Sequence, residues 1–268
     1  MAMMKNLARE IENAEVITVN RNGVEKKGLS IRKGNVAAVV YEEQLKNCTD
    51  TQEAIEFVNK VVEAHQADME RLSEGSMEFF TNYENIKGML TVRLLSKNDK
   101  AEVFRKADAR GFKGLKIVPY VNTPEGMVKG QIKVTKSHIN LWGVSEKEVI
   151  DQALKNTSKE EKLVKSLIGF MADLTGNQEM YEEIPDGPII VSNKGNYFGA
   201  AQILGLIPGL KKKYANGFFV IPSSVHEVLV MPKGFNGFDE DMLTDMVQDV
   251  NSSVIIPEER LADQAFVF

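Results

Sequence analysis

A chain of 268 residues, 43% of them hydrophobic, can bury a substantial core and suits one large domain or two modest ones. Its 33 basic and 38 acidic side chains are intermixed and leave a formal net charge of −5, which speaks against a nucleic-acid surface, because phosphate binding needs clustered Lys and Arg. The single cysteine, Cys48, excludes an internal disulfide and a Cys-x-x-Cys zinc site, and no apolar run approaches the roughly 20 residues that span a bilayer, so a cytoplasmic protein without a membrane partner is expected.

Leu7, Ile11 and Ala14 at helical spacing predict a short opening helix over 4–13. The run Val16 to Val19 then meets Asn22-Gly23, a pair that supplies the positive φ angles of a tight hairpin turn, and emerges as Val24 to Ile31. A second turn at Lys33-Gly34-Asn35 leads to Val36 through Tyr41, completing an antiparallel meander. Thr49 and Gln52 have capping-box spacing, and Ile55, Val58, Val62, His65, Met69 and Leu72 predict a long amphipathic helix over 51–73.

Met89 to Leu95 reads as a strand, 99–109 as a helix, and Leu115 to Tyr120 and Gly130 to Thr135 as a strand pair around the turn Asn122-Thr123-Pro124-Glu125-Gly126. Ser145 with Glu148 and Ser158 with Glu161 predict two more capped helices, the second with Leu163, Leu167, Ile168, Met171 and Leu174 inward and Gly176 as its C-terminal cap. The polar stretch 177–187 divides the chain into an N-terminal lobe, 1–176, and a C-terminal lobe, 188–268. Ile189 to Val191 is a strand, and Tyr197 to Tyr214 a helix broken near Pro208-Gly209. Its terminal Lys211-Lys212-Lys213 suits the helix dipole. Phe218 to Ile221 and Val225 to Met231 are strands around Pro222-Ser223-Ser224, and Asp239 to Val250 is a helix with Met242, Leu243, Met246 and Val247 inward. Asp239-Glu240-Asp241 caps that helix. The expected fold class is α+β: mainly antiparallel sheets packed with amphipathic helices, in two lobes.

The densest chemistry lies in Pro222-Ser223-Ser224-Val225-His226-Glu227, where hydroxyl, imidazole and carboxylate, the groups of nucleophilic hydrolysis, occur together. Alternation along a strand would put Ser224 and His226 on one face and Glu227 on the other, so no local triad forms, and the Gly-x-Ser-x-Gly elbow is missing. Ser223, Ser224, His226 and Glu227 therefore stand as catalytic candidates against a plain turn, and Pro222, Ser224, His226, Asn193 and Trp142 as binding candidates, tryptophan being enriched in binding hot spots as well as cores. His65, His138 and His226 lie on separate elements without metal-ligand spacing, and Gly195-Asn196-Tyr197-Phe198-Gly199 lacks the residues of a phosphate loop, so neither a metal nor a cofactor is expected.

Several spaced motifs carry a resemblance: Asn22-Gly23-Val24 with Gly28-Leu29-Ser30-Ile31, His138-Ile139-Asn140-Leu141-Trp142 with Ala153 to Thr157, Ser192-Asn193 with Gly199-Ala200-Ala201, Pro222 to Glu227, and Met246 to Asn251 leading to Pro257-Glu258-Glu259. Together they resemble a domain-of-unknown-function family of anaerobic gram-positive bacteria and their phages and mobile elements. The likeness covers nearly the whole chain, departs from the pattern at Ala262-Asp263, and implies no activity. The expectation is a non-enzymatic protein that binds a protein or peptide. The alternatives are a hydrolase using His226 with a nearby serine, and a structural component of a phage or mobile element.

Overall fold

The computed structural model describes residues 2–33, 36–70, 79–123, 130–176 and 187–268. Helix α1 (Ala2–Glu10) precedes the meander β1 (Ala14–Arg21), β2 (Val24–Lys33) and β3 (Val36–Tyr41), which form a three-stranded antiparallel sheet. The hairpin turn has the predicted form, with φ of 49° at Asn22 and 88° at Gly23. Gly34 and Asn35 of the second turn lie outside the described residues. Helix α2 (Thr51–Glu70) covers this sheet, its Ala54, Val58 and Val62 meeting Leu29, Ile31 and Val40, with Met4 and Leu7 of α1 closing the core. The cap of α2 differs from the predicted one. Asp50 Oδ1 accepts from the Glu53 amide, and the Glu53 carboxylate accepts from both the amide and hydroxyl of Thr49, so Glu53 rather than Gln52 completes the box.

The second sheet centres on β6. After the single turn α3 (Tyr83–Ile86), β4 (Leu90–Leu95) and β5 (Arg105–Lys106) pair with β6 (Lys116–Asn122), as does β7 (Gln131–Lys133), all antiparallel. Of the predicted turn between β6 and β7, Pro124 to Gly126 fall outside the described residues. The helix expected over 99–109 is absent. Asp99 accepts from the amides of Asn22 and Ala101, a side-chain bond that fixes an extended chain, and Arg105–Lys106 then joins the sheet. Helices α4 (Lys136–Trp142) and α5 (Glu146–Thr157) follow, α5 capped by Ser145 as expected.

The predicted helix headed by Ser158 is instead β8 (Lys162–Ser166). Ser158 belongs to the C-terminal end of α5, where its hydroxyl donates to the Lys155 carbonyl, and α6 (Leu167–Thr175) begins only after Ser166, whose hydroxyl accepts from Gly169. Gly176 ends α6 at φ 68°, as predicted, but Met171 and Leu174 are exposed, not inward. Strand β8 pairs with β9 (Ile189–Asn193), so hydrogen bonds join the two sides of residues 177–186.

Helix α7 (Ile203–Lys213) runs through Pro208 without the expected break. Proline removes the donor to the Leu204 carbonyl, and the Arg110 guanidinium donates to that oxygen instead, at 3.4 Å. Strands β10 (Phe218–Pro222) and β11 (Val228–Pro232) extend the third sheet, ordered β12-β10-β11-β9-β8 with β12 at Phe266–Val267. Val225 to Glu227, expected on a strand, form a loop. Helix α8 (Glu240–Ser253) packs Leu243 and Val247 on Phe219, Ile221 and Met231 of this sheet. A larger core joins the second and third sheets, with Phe112, Ile117, Ile203 and Phe218 among its buried side chains. The fold is α+β, built from antiparallel sheets and amphipathic helices.

Candidate functional site

The loop from Ser223 to Glu227 is held by its own polar groups. Both serine hydroxyls donate to Glu227 Oε1, Ser223 at 2.9 Å and Ser224 at 3.0 Å, and Ser224 Oγ accepts from the His226 amide at 3.0 Å. Because these residues leave the strand, alternation does not separate serine from carboxylate, contrary to the sequence expectation. Pro222 closes β10 opposite Val228 at the start of the loop.

His226 faces the loop after β9. Its Nδ1 accepts the Phe198 amide at 3.1 Å, which puts the proton on Nε2, 3.3 Å from Glu259 Oε1. Both ring nitrogens are therefore engaged, while the serine hydroxyls point to Glu227. This differs from the serine–imidazole hydrogen bond of an activated nucleophile. The ring also packs against Tyr197 and Phe198 at centroid distances of 5.6 and 5.2 Å.

Gly199 allows this approach. A Cβ there would lie 2.2 Å from Ser192 Oγ, 2.3 Å from the Asn193 nitrogen and 2.8 Å from the His226 carbonyl oxygen. Ser192, fully buried, donates to that same His226 oxygen at 2.7 Å. Asn193 ties the loop from inside, its Nδ2 donating to the Tyr197 carbonyl and its Oδ1 accepting the Tyr197 amide. The amides of Asn196, Tyr197, Phe198 and Ala200 all have internal partners, so these four N–H groups do not converge on an anion.

The structure thus brings Pro222, Ser223, Ser224, His226 and Glu227 together with Asn193. Trp142 belongs elsewhere. Its Nε1 donates to the Phe80 carbonyl at 2.9 Å, and its ring stacks on His138 at 5.4 Å. Burial holds the His138 imidazole below the usual histidine range, against a smaller opposing pull from Glu102. His65 lies on α2, His138 on α4 and His226 in the loop, and no group of three metal-ligating side chains occurs among the described residues.

Two features escaped the sequence reading. The first is Arg93, the one charged residue in strand β4; that lone charge was the available signal. Its guanidinium carbon lies 3.3 Å from the Phe198 ring centroid and 4.1 Å from that of Tyr120. The second is the solvent face of α8. Met242 and Met246, expected inward, are 52% and 48% exposed, and Val250, Val254 and Ile256 continue the exposed apolar row. At 100° per residue, Asp241, Asp245 and Asp249 form an acidic row beside it. The pattern looked like a fully buried stripe because the apolar arc of α8 is wider than the surface the sheet covers.

Among the described residues these features define an α+β protein of three antiparallel sheets with a loop-built polar cleft and an exposed apolar helix face. No helix among the described residues is long and apolar enough to cross a membrane. Residues 2–268 match the sequence model of a family of unknown function (DUF5688), and the chain belongs to that family. No curated protein and no solved structure matches it.

Proposed function

We propose that this is a non-enzymatic binding protein that takes up a basic amphipathic helix of a partner protein on the exposed face of α8. The observation that carries the reading is the uncovered row Met242, Met246, Val250 and Val254, extended by Ile256. Contiguous exposed apolar surface of this kind is characteristic of interaction sites, and methionine adapts its shape to a partner at little cost. The parallel row of Asp241, Asp245 and Asp249 selects a partner with Lys or Arg beside its apolar stripe. It also disfavours a second copy of this chain, whose acidic row would meet like charge.

The test is a fluorescence-anisotropy titration with a labelled, C-terminally amidated helical peptide of leucine and lysine, and its leucine–glutamate counterpart. The wild type is expected to bind the lysine peptide and not the glutamate one. The variant Met242→Ser/Met246→Ser keeps every charge and should bind at least tenfold more weakly. Equal binding by the variant, or no binding by the wild type, would remove the reading.

A further inference from the structure

We propose that the cleft around Arg93 binds the terminal carboxylate of a peptide, a site distinct from the α8 face and standing without it. The cleft, about 90 Å³, is lined by Thr91, Arg93, Asn122, Gln131, Glu160 and Gln202, with the 193–198 loop as its remaining wall. It adjoins a wider one of about 440 Å³ that shares Asn122, Gln131 and Tyr197.

Arg93 is a cation without a counter-charge. Among the described residues no carboxylate lies within ion-pairing distance of it, and its hydrogen-bond acceptor is the neutral Gln131 Oε1, 2.6 Å from Nε and bonded also by Nη2. Ring faces of Tyr120, Tyr197 and Phe198 surround the guanidinium, and the other side-chain partners it meets there are the hydroxyls of Tyr120 and Tyr197. A planar, desolvated guanidinium held this way matches the two oxygens of a carboxylate.

The neighbours set what that carboxylate is attached to. Gln131 donates through Nε2 to Asn122 Oδ1 at 2.6 Å, so its amide is oriented by both partners, and Asn122 lines the cleft with Arg93. Gln202, 2% exposed, donates to Glu160 Oε2 at 2.7 Å, but its own Oε1 has no partner, so the cleft also holds an acceptor in need of an N–H. The Glu160 carboxylate accepts from Thr91 and Gln202 in the same cleft, and an acidic side chain there disfavours a dianion such as phosphate. A monoanionic carboxylate with an N–H one bond beyond its neighbouring carbon meets both demands, and free amino acids and peptide ends share that chemistry. The wider cleft, with the ring of Tyr197 57% exposed at its edge, gives room for preceding residues and favours the peptide.

The experiment follows the side-chain Nε–H signals of arginine in the 15N-labelled full chain, Arg93 being the signal missing from Arg93→Lys. Added are N-acetylated tripeptides randomised at all three positions, as free acids or as C-terminal amides, and separately free phenylalanine and inorganic phosphate. The acids should shift the Arg93 signal in a saturable way, with the amides at least tenfold weaker. Tyr197→Ala, an exposed site outside the core, should weaken the acids several-fold, and it supplies the binding comparison should Arg93→Lys fail to fold. Acids and amides acting equally, no shift with either, or phosphate binding more tightly than the acids would each overturn the proposal. Free phenylalanine binding as tightly as the acids would overturn the peptide as the ligand.

Discussion

At the scale of single residues, Gly199 is the position where sequence and site meet most tightly. Three atoms from β9 and the His226 loop crowd the place of its missing side chain, two of them backbone atoms that cannot swing aside. Gly199→Ala is therefore expected to push the 193–198 and 223–227 loops apart and to destabilise the protein by roughly 2–4 kcal/mol, the range of severe overpacking and broken buried hydrogen bonds. Urea unfolding measures this, and the His226 ring signals should shift even where the fold survives. None of it was legible from Gly199 alone. Ser192-Asn193, Gly199 and Pro222 to Glu227 stood out separately in the sequence, but their contact depends on how β9 and β11 pair, a long-range fact that local patterns do not carry. Arg93 was hidden for the same reason, since Tyr120, Gln131 and Phe198 reach it from three other segments.

At the scale of elements, local signals worked where local chemistry decides. Asn22-Gly23 made its hairpin, Ser145 capped α5, and Gly176 ended α6. They failed where a side chain had a more distant engagement. Glu160 and Glu161 near Ser158 look like helix-start residues, yet Glu160 binds Thr91 and Gln202, and Glu161 pairs with Lys194 across the strands. Helix α4 carries a prediction of its own. His138 and Trp142, four residues apart, stack on one face, and His138 Nδ1 accepts the Thr135 amide at 3.0 Å, an arrangement that needs the neutral ring. Because burial lowers the folded-state pKa from 6.5, the unfolded chain takes up the proton first as pH falls. The contribution of His138 is thus complete above pH 6.5 and declines as pH drops from there through the folded value. Thermal melts from pH 7.5 to 5 should show a loss in the wild type that is smaller in His138→Gln; parallel curves would show that the ring does not titrate in this way.

At the scale of the whole molecule, the division expected at 177–187 can be tested directly. Strands β8 and β9 pair across it, and the large core draws Leu94, Ile117 and Val149 from one side and Ile203, Phe218 and Val230 from the other. Residues 188–268 expressed alone should therefore lack dispersed amide signals and a cooperative melt; a folded fragment would support the two-lobe division. What the structure does set apart is the first 70 residues, with a separate core under α2. That module is fastened at its hairpin tip. The Asn22 side chain donates to the carbonyls of Glu258 and Arg260 and accepts the Ser96 amide, the Asn22 amide donates to Asp99, and Lys26 pairs with Glu43 and Glu258. Asp99 in turn binds Lys133 at 3.0 Å with its carboxylate fully buried. This docking could not be read from a turn signal, which specifies the shape of the tip and not what receives it.

The fastening at Asn22 also sets a clock. A two-stranded hairpin closes within microseconds, so its tip is shaped almost as soon as β2 leaves the ribosome. Arg260, which completes the socket, is made 238 residues after Asn22. At synthesis rates of roughly 5–20 residues per second, the finished tip waits on the order of 10–50 s for its last partners. During that interval Asn22 and Lys26 are open to solvent and to anything else in reach, so the newborn chain offers a surface that the mature protein conceals.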